Sequence, residues 1–445
     1  MSLLSAACLL PAATLLASPA PPPLLGGRYF TFVGLIRVNQ IEVTRTQNVG
    51  ADEVALHTPE AVRAMRDHLA EAFPGARMTW AFSWLALQDE RPNYVAIRKQ
   101  VVEYHERLGD EITFIPGAYF SPMHNTREQT NRDLHDGLKL VSEMVGGGYR
   151  PKSVIAGFLA AENLRYLAEV EGIHVCQGTI WSQFGIDNGD GDGSVCYPYY
   201  PSREHYCKPA QGPADFIDCV CLDGWSCDFL AARRLGFADG HNSRMGLGPI
   251  ETILSHHGVE KGLAEQVFTT GLHFDDGFAR NGFGWATVIW EVSIGGTQHR
   301  PAYGAAVRRR WPDVRCGTGG EFGEAYRAQF PDNSRLDYRF TERGSGIGGS
   351  DANLEIRWFQ NRDFRLALLH DWQKPTAEQV IDFTRYDLPA AEPTGITRNW
   401  SLLNVLNQKG TRPQDKPRPL SELSADDQAI IRRRLPELFG PVAGG

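Results

Sequence analysis

The chain has no block of lysine and arginine and no glycine-rich phosphate loop after its first strand-like run. After its first residues it also has no apolar run long enough to cross a bilayer. Each absence removes a class of function. Lys and Arg total 45 against 53 Asp and Glu, a formal charge of −8, so a polyanion such as DNA is disfavoured as a partner. No G-x-G-x-x-G follows the first strand-like run and no Walker-type loop occurs, which leaves nucleotide binding without support. A membrane span would need about 20 consecutive apolar residues, and no later segment supplies them. There is no CxxC pair, and Cys219-x-Cys221 followed by Cys227 lacks the spacing of a zinc site. No internal repeat is found.

What is present is a 445-residue chain, 42% hydrophobic and 22% charged, the balance of a soluble globular protein with room for a large domain and a smaller one. Residues 1–26 run from an apolar stretch into a proline cluster. They suit the h-region of a secretory leader, although the positive n-region is missing, and predict a secreted or periplasmic protein. Beyond Cys8, seven cysteines remain, six of them between Cys176 and Cys227. In an oxidising compartment that clustering predicts one or two disulfides, and the odd number leaves at least one thiol over.

From Tyr29 onward, short β-rich runs alternate with helical patterns. The runs are YFTFVGLIRV, MTWAFSW, EITFIPGAYF, SVIAGFL, IHVCQGTIW, DFIDCVCL and WATVIWEVSI. Between them, Leu134, Leu138, Val141 and Val145 recur on one helical face, with Thr126 and Gln129 as a capping box and Gly146 as the stop. NYVAIRKQVVEYHERLG repeats the pattern and ends on Gly109. Strands apolar on both faces, alternating with helices, predict a covered parallel sheet. The first choice is a seven-stranded βα barrel over 27–300, and the second an open doubly wound sheet. After Arg300 glycine turns and alternation such as Leu354, Ile356 and Trp358 predict a β-rich domain over 301–405. Residues 406–445 read as a linker and a capped terminal helix, LSADDQAIIRRRLPELF.

The stretch from GDEITFIPGAYFSPMHN through RPKSVIAGFLAAEN to GIHVCQGTIW resembles the βα barrel shared by polysaccharide deacetylases and some glycoside hydrolases. The following HVCQGTIWSQFGIDNGDGDGSVCYPYYPSREHYC is similar to an uncharacterised family of bacterial secreted proteins linked to carbohydrate degradation. The resemblance implies a (β/α)7-type barrel and a poly- or oligosaccharide partner. Deacetylases of this kind hold a metal with a first-strand Asp and two His. Here the first strand reads LIRVNQIEV without Asp, and His124 is followed four residues on by Glu128 rather than by a second His. LHFDDGF carries the deacetylase spelling but lies near the barrel's end. A metal-dependent deacetylase is therefore disfavoured, and no cofactor is required.

Glycoside hydrolysis needs two carboxyls across the scissile bond, and in a βα barrel these sit at the C-terminal ends of strands. Glu162 follows the fourth predicted strand and Glu291 ends the seventh; hydrolases of the resembling superfamily place carboxylates at about these stations. Each has a plainer reading: helix-dipole charge for Glu162, and an ion pair with Arg37 or Arg244 for Glu291. Asp275 and Asp276 are the alternative acids, with Glu42 behind them. Substrate contacts are expected from His124, from Trp84, Trp181 and Trp290 at strand ends, and from Tyr199, Arg203 and His205 in a long loop. Asn188, Asp190 and Asp192 match the first half of a calcium loop, but position twelve is Tyr199, so this is no EF-hand. A structural Ca2+ clip with other ligands or a solvated turn remains there, beside the active site. The leading function is a secreted carbohydrate-active enzyme of the glycoside hydrolase kind. The alternatives are a non-catalytic carbohydrate-binding protein and a deacetylase with a rearranged metal site.

Overall fold

The computed structural model describes residues 23–43, 48–179, 181, 193–231, 246–247, 250–397, 400–402, 406 and 417–440, with the side chains of 250–257 excepted. All seven predicted runs contain a strand. In chain order the strands are β1 (Arg28–Ile36), a hairpin of β2 (Asn39–Glu42) and β3 (Asn48–Asp52), β4 (Thr79–Ser83) and β5 (Glu111–Ile115). Then come β6 (Val154–Ile155), β7 (Val175–Thr179), β8 (Val220–Asp223), β9 (Gly284–Glu291) and β10 (Arg315–Gly317). The hairpin and β10 were not expected from the sequence.

The parallel strands are buried apart from β10, whose Arg315 is exposed. β9 lines one edge of β1 along its length, while β10 and β4 share the other edge, and β5 follows β4. Gly34 on β1 lets the Trp80 ring of β4 close in, since a Cβ there would stand 2.7 Å from the ring. β6, β7 and β8 form a second parallel sheet. Two seams separate the sheets. At one, the Ser226 amide donates to Thr287 O (3.0 Å) and Gln177 Nε2 to Thr287 Oγ1 (2.9 Å). At the other, Thr113 Oγ1 donates to Ser153 O. Among the described residues these contacts do not amount to a ladder, so the expected barrel is seen as two parallel sheets rather than one closed sheet.

The helices follow their predicted ends. The one over Pro92–Leu108 stops at Gly109 with φ +79°, the left-handed cap that glycine adopts without a Cβ penalty. The one over Arg127–Val145 starts where Thr126 accepts the Gln129 amide and stops at Gly146. The reciprocal half of the capping box is missing, because the Gln129 side chain donates instead to Asp133.

The change of texture comes later than the predicted boundary at Arg300. The helix Arg300–Arg310, β10 and the helix Gly319–Gln329 still belong to the parallel unit, since β10 pairs with β1. The antiparallel sheet begins at β11 (Asp337–Arg343) and continues through β12 (Leu354–Asn361), β13 (Phe364–Asp371), β14 (Gln379–Arg385) and β15 (Arg418–Pro419). Its alternation is two-sided. Ile356, Trp358 and Ala367 pack into the large core with the first unit, while Phe359, Phe364, Leu366 and Leu368 pack with Ile430 and Ile431 of the terminal helix Ala425–Arg434 and with Leu435 at its end. Period-2 placement of side chains makes that division.

The cysteines depart from expectation. Cys176, Cys196, Cys207, Cys219, Cys221, Cys227 and Cys316 all stand as thiols, with no disulfide among them. Several belong to the buried ladders: Cys176 on β7 faces Cys221 on β8 in register. There they serve as small core hydrophobes, and burial pushes the Cys176 thiol far up. No helix among the described residues is long and apolar enough to cross a membrane.

Candidate active site

Two adjoining clefts, of about 570 and 130 Å³, open beside the end of β6 and share Arg127 and Glu162 in their walls. Glu162 comes from the first turn of the short helix Ala161–Tyr166, and Arg127 begins the helix after the β5 loop. The third wall is a strap, residues 389–396, that leaves the antiparallel sheet and crosses back over the first unit.

The strap is sewn in place. Lys208 Nζ donates to Leu388 O (2.8 Å), the Ala390 amide to Glu204 Oε2 (3.1 Å) and the Glu392 amide to Glu204 O (3.0 Å). Glu392 Oε1 accepts the amides of Ala161 and Tyr206, both at 2.8 Å. Arg127 Nη2 donates to Glu392 Oε2 (3.2 Å) and to Pro393 O (2.7 Å). Burial pushes the Glu392 carboxyl up to about 7, against the opposing pull of those amides and of Arg127. Trp400 lies beneath the Arg127 guanidinium and against Phe158.

The acids of this groove have unequal partners. Glu392 holds Arg127, Glu204 holds Lys208 (2.5 Å), and Glu128 bonds Thr126. Glu162, half-buried, has no hydrogen bond or ion pair among the described residues. An unengaged carboxylate in an open groove can accept a proton, orient water or meet a developing positive charge.

Glu291 has a different setting. Its carboxylate bonds Arg37 Nη2 at 2.5 Å, and Arg37 also bonds both oxygens of Glu53 (2.6 and 2.8 Å). No bond joins Glu162 to Glu291, and neither of the two clefts is lined by both. Glu42 is likewise engaged, accepting from Val38, Asn39 and Leu85 amides and from Ser83 Oγ, so it ties the β1–β2 turn to the end of β4. Nearby, Ala118 adopts φ +54° and Tyr119 stacks on Trp225 at 6.1 Å. A non-glycine residue in the left-handed region stores strain that the surrounding packing must hold.

Several predicted site residues are buried or bonded into the framework in this structure. Asp275 and Asp276 precede β9, at the opposite end of the strands from Glu162. Asp275 is tied to Arg310 (2.5 Å) and Trp311 Nε1 (2.6 Å), and Asp276 to Arg280 (2.8 Å) and the Thr341 amide (2.6 Å). Trp84, Trp181 and Trp290 are buried and so offer no ring face to a sugar. Trp181 joins the two units by packing on Phe229 and Trp358, and Trp290 stacks under Arg300. Tyr199 is buried and donates to Tyr206 O (2.6 Å). His205 is buried on the Tyr206 ring, and desolvation lowers its pKa to about 3. Arg203 does line the groove, paired with Glu169 at 3.0 Å. His124, half-buried, adjoins the groove residue Asn125. Asn188, Asp190 and Asp192 lie outside the described residues, as does Arg244.

A deacetylase metal set does not fit the residues present: β1 supplies no Asp, and Glu128 is at the surface. Among the described residues no group of three His, Cys, Asp or Glu side chains is arranged to hold a metal ion. Sequence reading missed Arg127, Glu392 and Trp400. The one available signal was an acid between prolines, LPAAEP, in a loop after a strand-like run.

No curated protein matches this chain. Among solved structures, a Parabacteroides distasonis protein described as a candidate glycoside hydrolase/deacetylase is 48% identical, covering 94% of this chain and 100% of its own, with a TM-score of 0.88. A GH57-type branching enzyme from Pyrococcus horikoshii (9% identity, 66% of this chain and 69% of its own, TM-score 0.39) carries no argument. The same holds for the peptidoglycan deacetylase PdaC from Bacillus subtilis (11%, 69% and 95%, TM-score 0.32). Residues 365–438 match a second domain of unknown function, DUF3864. Residues 22–360 match the model described as a domain of unknown function with a solved structure, DUF3863, and the chain belongs to that family.

Proposed function

We propose that this protein is a secreted carbohydrate-active hydrolase that binds a poly- or oligosaccharide in the groove at the end of β6, with Glu162 as its working carboxylate. The observation that carries this reading is the contrast within the groove: among the described residues Glu128, Glu204 and Glu392 are bonded, and Glu162 is not. The volume of about 570 Å³ suits a ligand of a few sugar rings. The description of the Parabacteroides distasonis relative agrees in chemical class.

The barrel enters here as part of the proposal. The two sheets, stitched at Thr287 and Thr113, are read as one seven-stranded barrel with two loose seams, which puts Glu162 and Glu291 on the same rim, facing each other across its mouth. In that arrangement Glu291, held by Arg37, is the candidate second carboxylate. A retaining mechanism would need the pair roughly 5 Å apart and an inverting one roughly 6.5–9.5 Å. A structural Ca2+ held by Asn188, Asp190 and Asp192 is proposed beside this site.

The test is a panel of 4-nitrophenyl glycosides and oligosaccharides screened for released aglycone, reducing sugar and acetate. Wild type, Glu162→Gln and Glu291→Gln are compared, with and without chelator. Turnover lost in Glu162→Gln with intact fold supports the reading. Full activity in both variants overturns it, and acetate release without sugar release would redirect it to deacetylation. The second reading, a carbohydrate-binding protein, is favoured by the engagement of Glu392 and Glu291 in ion pairs. It predicts saccharide binding with no product from any member of the panel.

A further inference from the structure

We propose that Glu392, supplied by the C-terminal unit, is a positioning residue for Glu162, so that the groove is a site shared between the two family domains. The inference rests on the reading of Glu162 as the working carboxylate. One carboxylate oxygen of Glu392 receives the Ala161 amide, which opens the helix carrying Glu162, and the Tyr206 amide of the facing loop. The other receives Arg127, whose guanidinium is a wall of both clefts that Glu162 lines. One side chain thus fixes the backbone beneath Glu162 and the cation that shares both clefts with it. Its own backbone is anchored by Glu204 O, and its side chain is only 5% exposed. The acceptor comes from the second family domain, 231 residues after Ala161.

The bond set needs a carboxylate, because a protonated acid beside Arg127 would lose the charge-assisted half of the clasp. Burial holds that carboxyl at about 7, so the ionised form that makes the charge-assisted bond to Arg127 becomes the main one only as pH rises through neutrality. The groups around it are Arg127 and Glu162 from the two helices and Glu204, His205, Tyr206 and Lys208 from the loop. His205 stays neutral there, its pKa lowered to about 3 by burial, and Glu204 and Lys208 neutralise each other. Glu392 is the member of the set that burial brings to about 7.

The experiment compares wild type, Glu392→Gln and Glu392→Asp, using any 4-nitrophenyl glycoside that the wild type turns over, across pH 5–9. A parallel measurement follows hydrogen exchange at the Ala161 and Tyr206 amides. Glu392→Gln should cut kcat about tenfold or more, abolish the rise in kcat through pH 7 and lose about tenfold protection at both amides. Glu392→Asp should restore part of the rise. Wild-type kcat with an unchanged pH profile in Glu392→Gln, alongside an inactive Glu162→Gln, overturns this inference and leaves the function standing. Full activity in Glu162→Gln removes the function itself. If Glu392→Gln does not fold, Glu392→Asp decides alone: an unmoved profile and unmoved protection overturn the proposal. If no glycoside is turned over, unchanged amide protection in Glu392→Gln overturns it, and lost protection supports it.

Discussion

Glu162, on the helix that follows β6, and Glu291, the last residue of β9, both lie beyond the C-terminal ends of parallel strands, yet their surroundings differ. Glu291 is locked to a nearly buried arginine that also grips Glu53. Glu162 stands on a short helix and has no partner among the described residues, opposite a strap whose acid is fully engaged. Strand-end position alone therefore does not make a carboxylate available for chemistry. What matters is whether the neighbouring elements bring a cation to it, and at β9 the turn after β1 does.

The comparison can be broken most sharply at Arg37. Arg37→Met leaves Glu53 and Glu291 without their shared guanidinium and should cost about 3–5 kcal/mol of stability, the range for removing one partner of a buried pair. Chemical denaturation would read it, and a loss under 1 kcal/mol would mean that the Glu291 rim is as loosely held as the Glu162 groove. Glu162→Gln should do the reverse: turnover falls by roughly 10²–10⁴, the usual worth of a positioned acid or base, while the melting temperature stays within a degree or two of wild type. A melting loss as large as that of Arg37→Met would show that Glu162 is framework after all.

A smaller effect separates the two groups by pH. His205 is buried and neutral, with a pKa lowered to about 3 from 6.5. Between those values the unfolded chain binds more protons than the folded one, so stability is lost as pH falls from about 6.5 toward 3. His205→Gln should flatten that acid limb in thermal melts, and an unchanged limb would place the titration elsewhere. Glu392 works in the opposite direction: its raised pKa means that stability falls as pH rises from about 4.5 to 7. Glu392→Gln should remove that decline. The smallest expected effect is on the proposed Ca2+ clip. Chelator should lower the melting temperature by a few degrees in wild type and not in Asp192→Ala, and equal melts in both would return the loop to an ordinary turn.

Much of the fold was legible in the sequence because it is local. The seven strand runs, the Gly109 and Gly146 stops and the alternation of Ile356 with Trp358 all follow from periodicity and cap chemistry. The domain boundary was not legible. β10 is three residues long and is a strand only because β1 lies open beside its first half. The cysteine cluster suggested disulfides because spacing cannot distinguish a covalent framework from small residues packed in a ladder. The tryptophans failed as sugar platforms for a related reason: a large ring at a strand end packs wherever another layer covers it, and the antiparallel sheet covers Trp181.

By itself the sequence determined the parallel α/β unit, the later β-rich unit, the terminal helix and the acids at two strand ends. These depend on side-chain period, glycine conformation and burial within a few residues of chain. Only the tertiary structure decided which acid is free to act. Arg37 meets Glu291 across 254 residues, and Arg127 meets Glu392 across 265. The state of a carboxylate is set by the charges and donors that arrive within a few ångströms, whatever their distance along the chain.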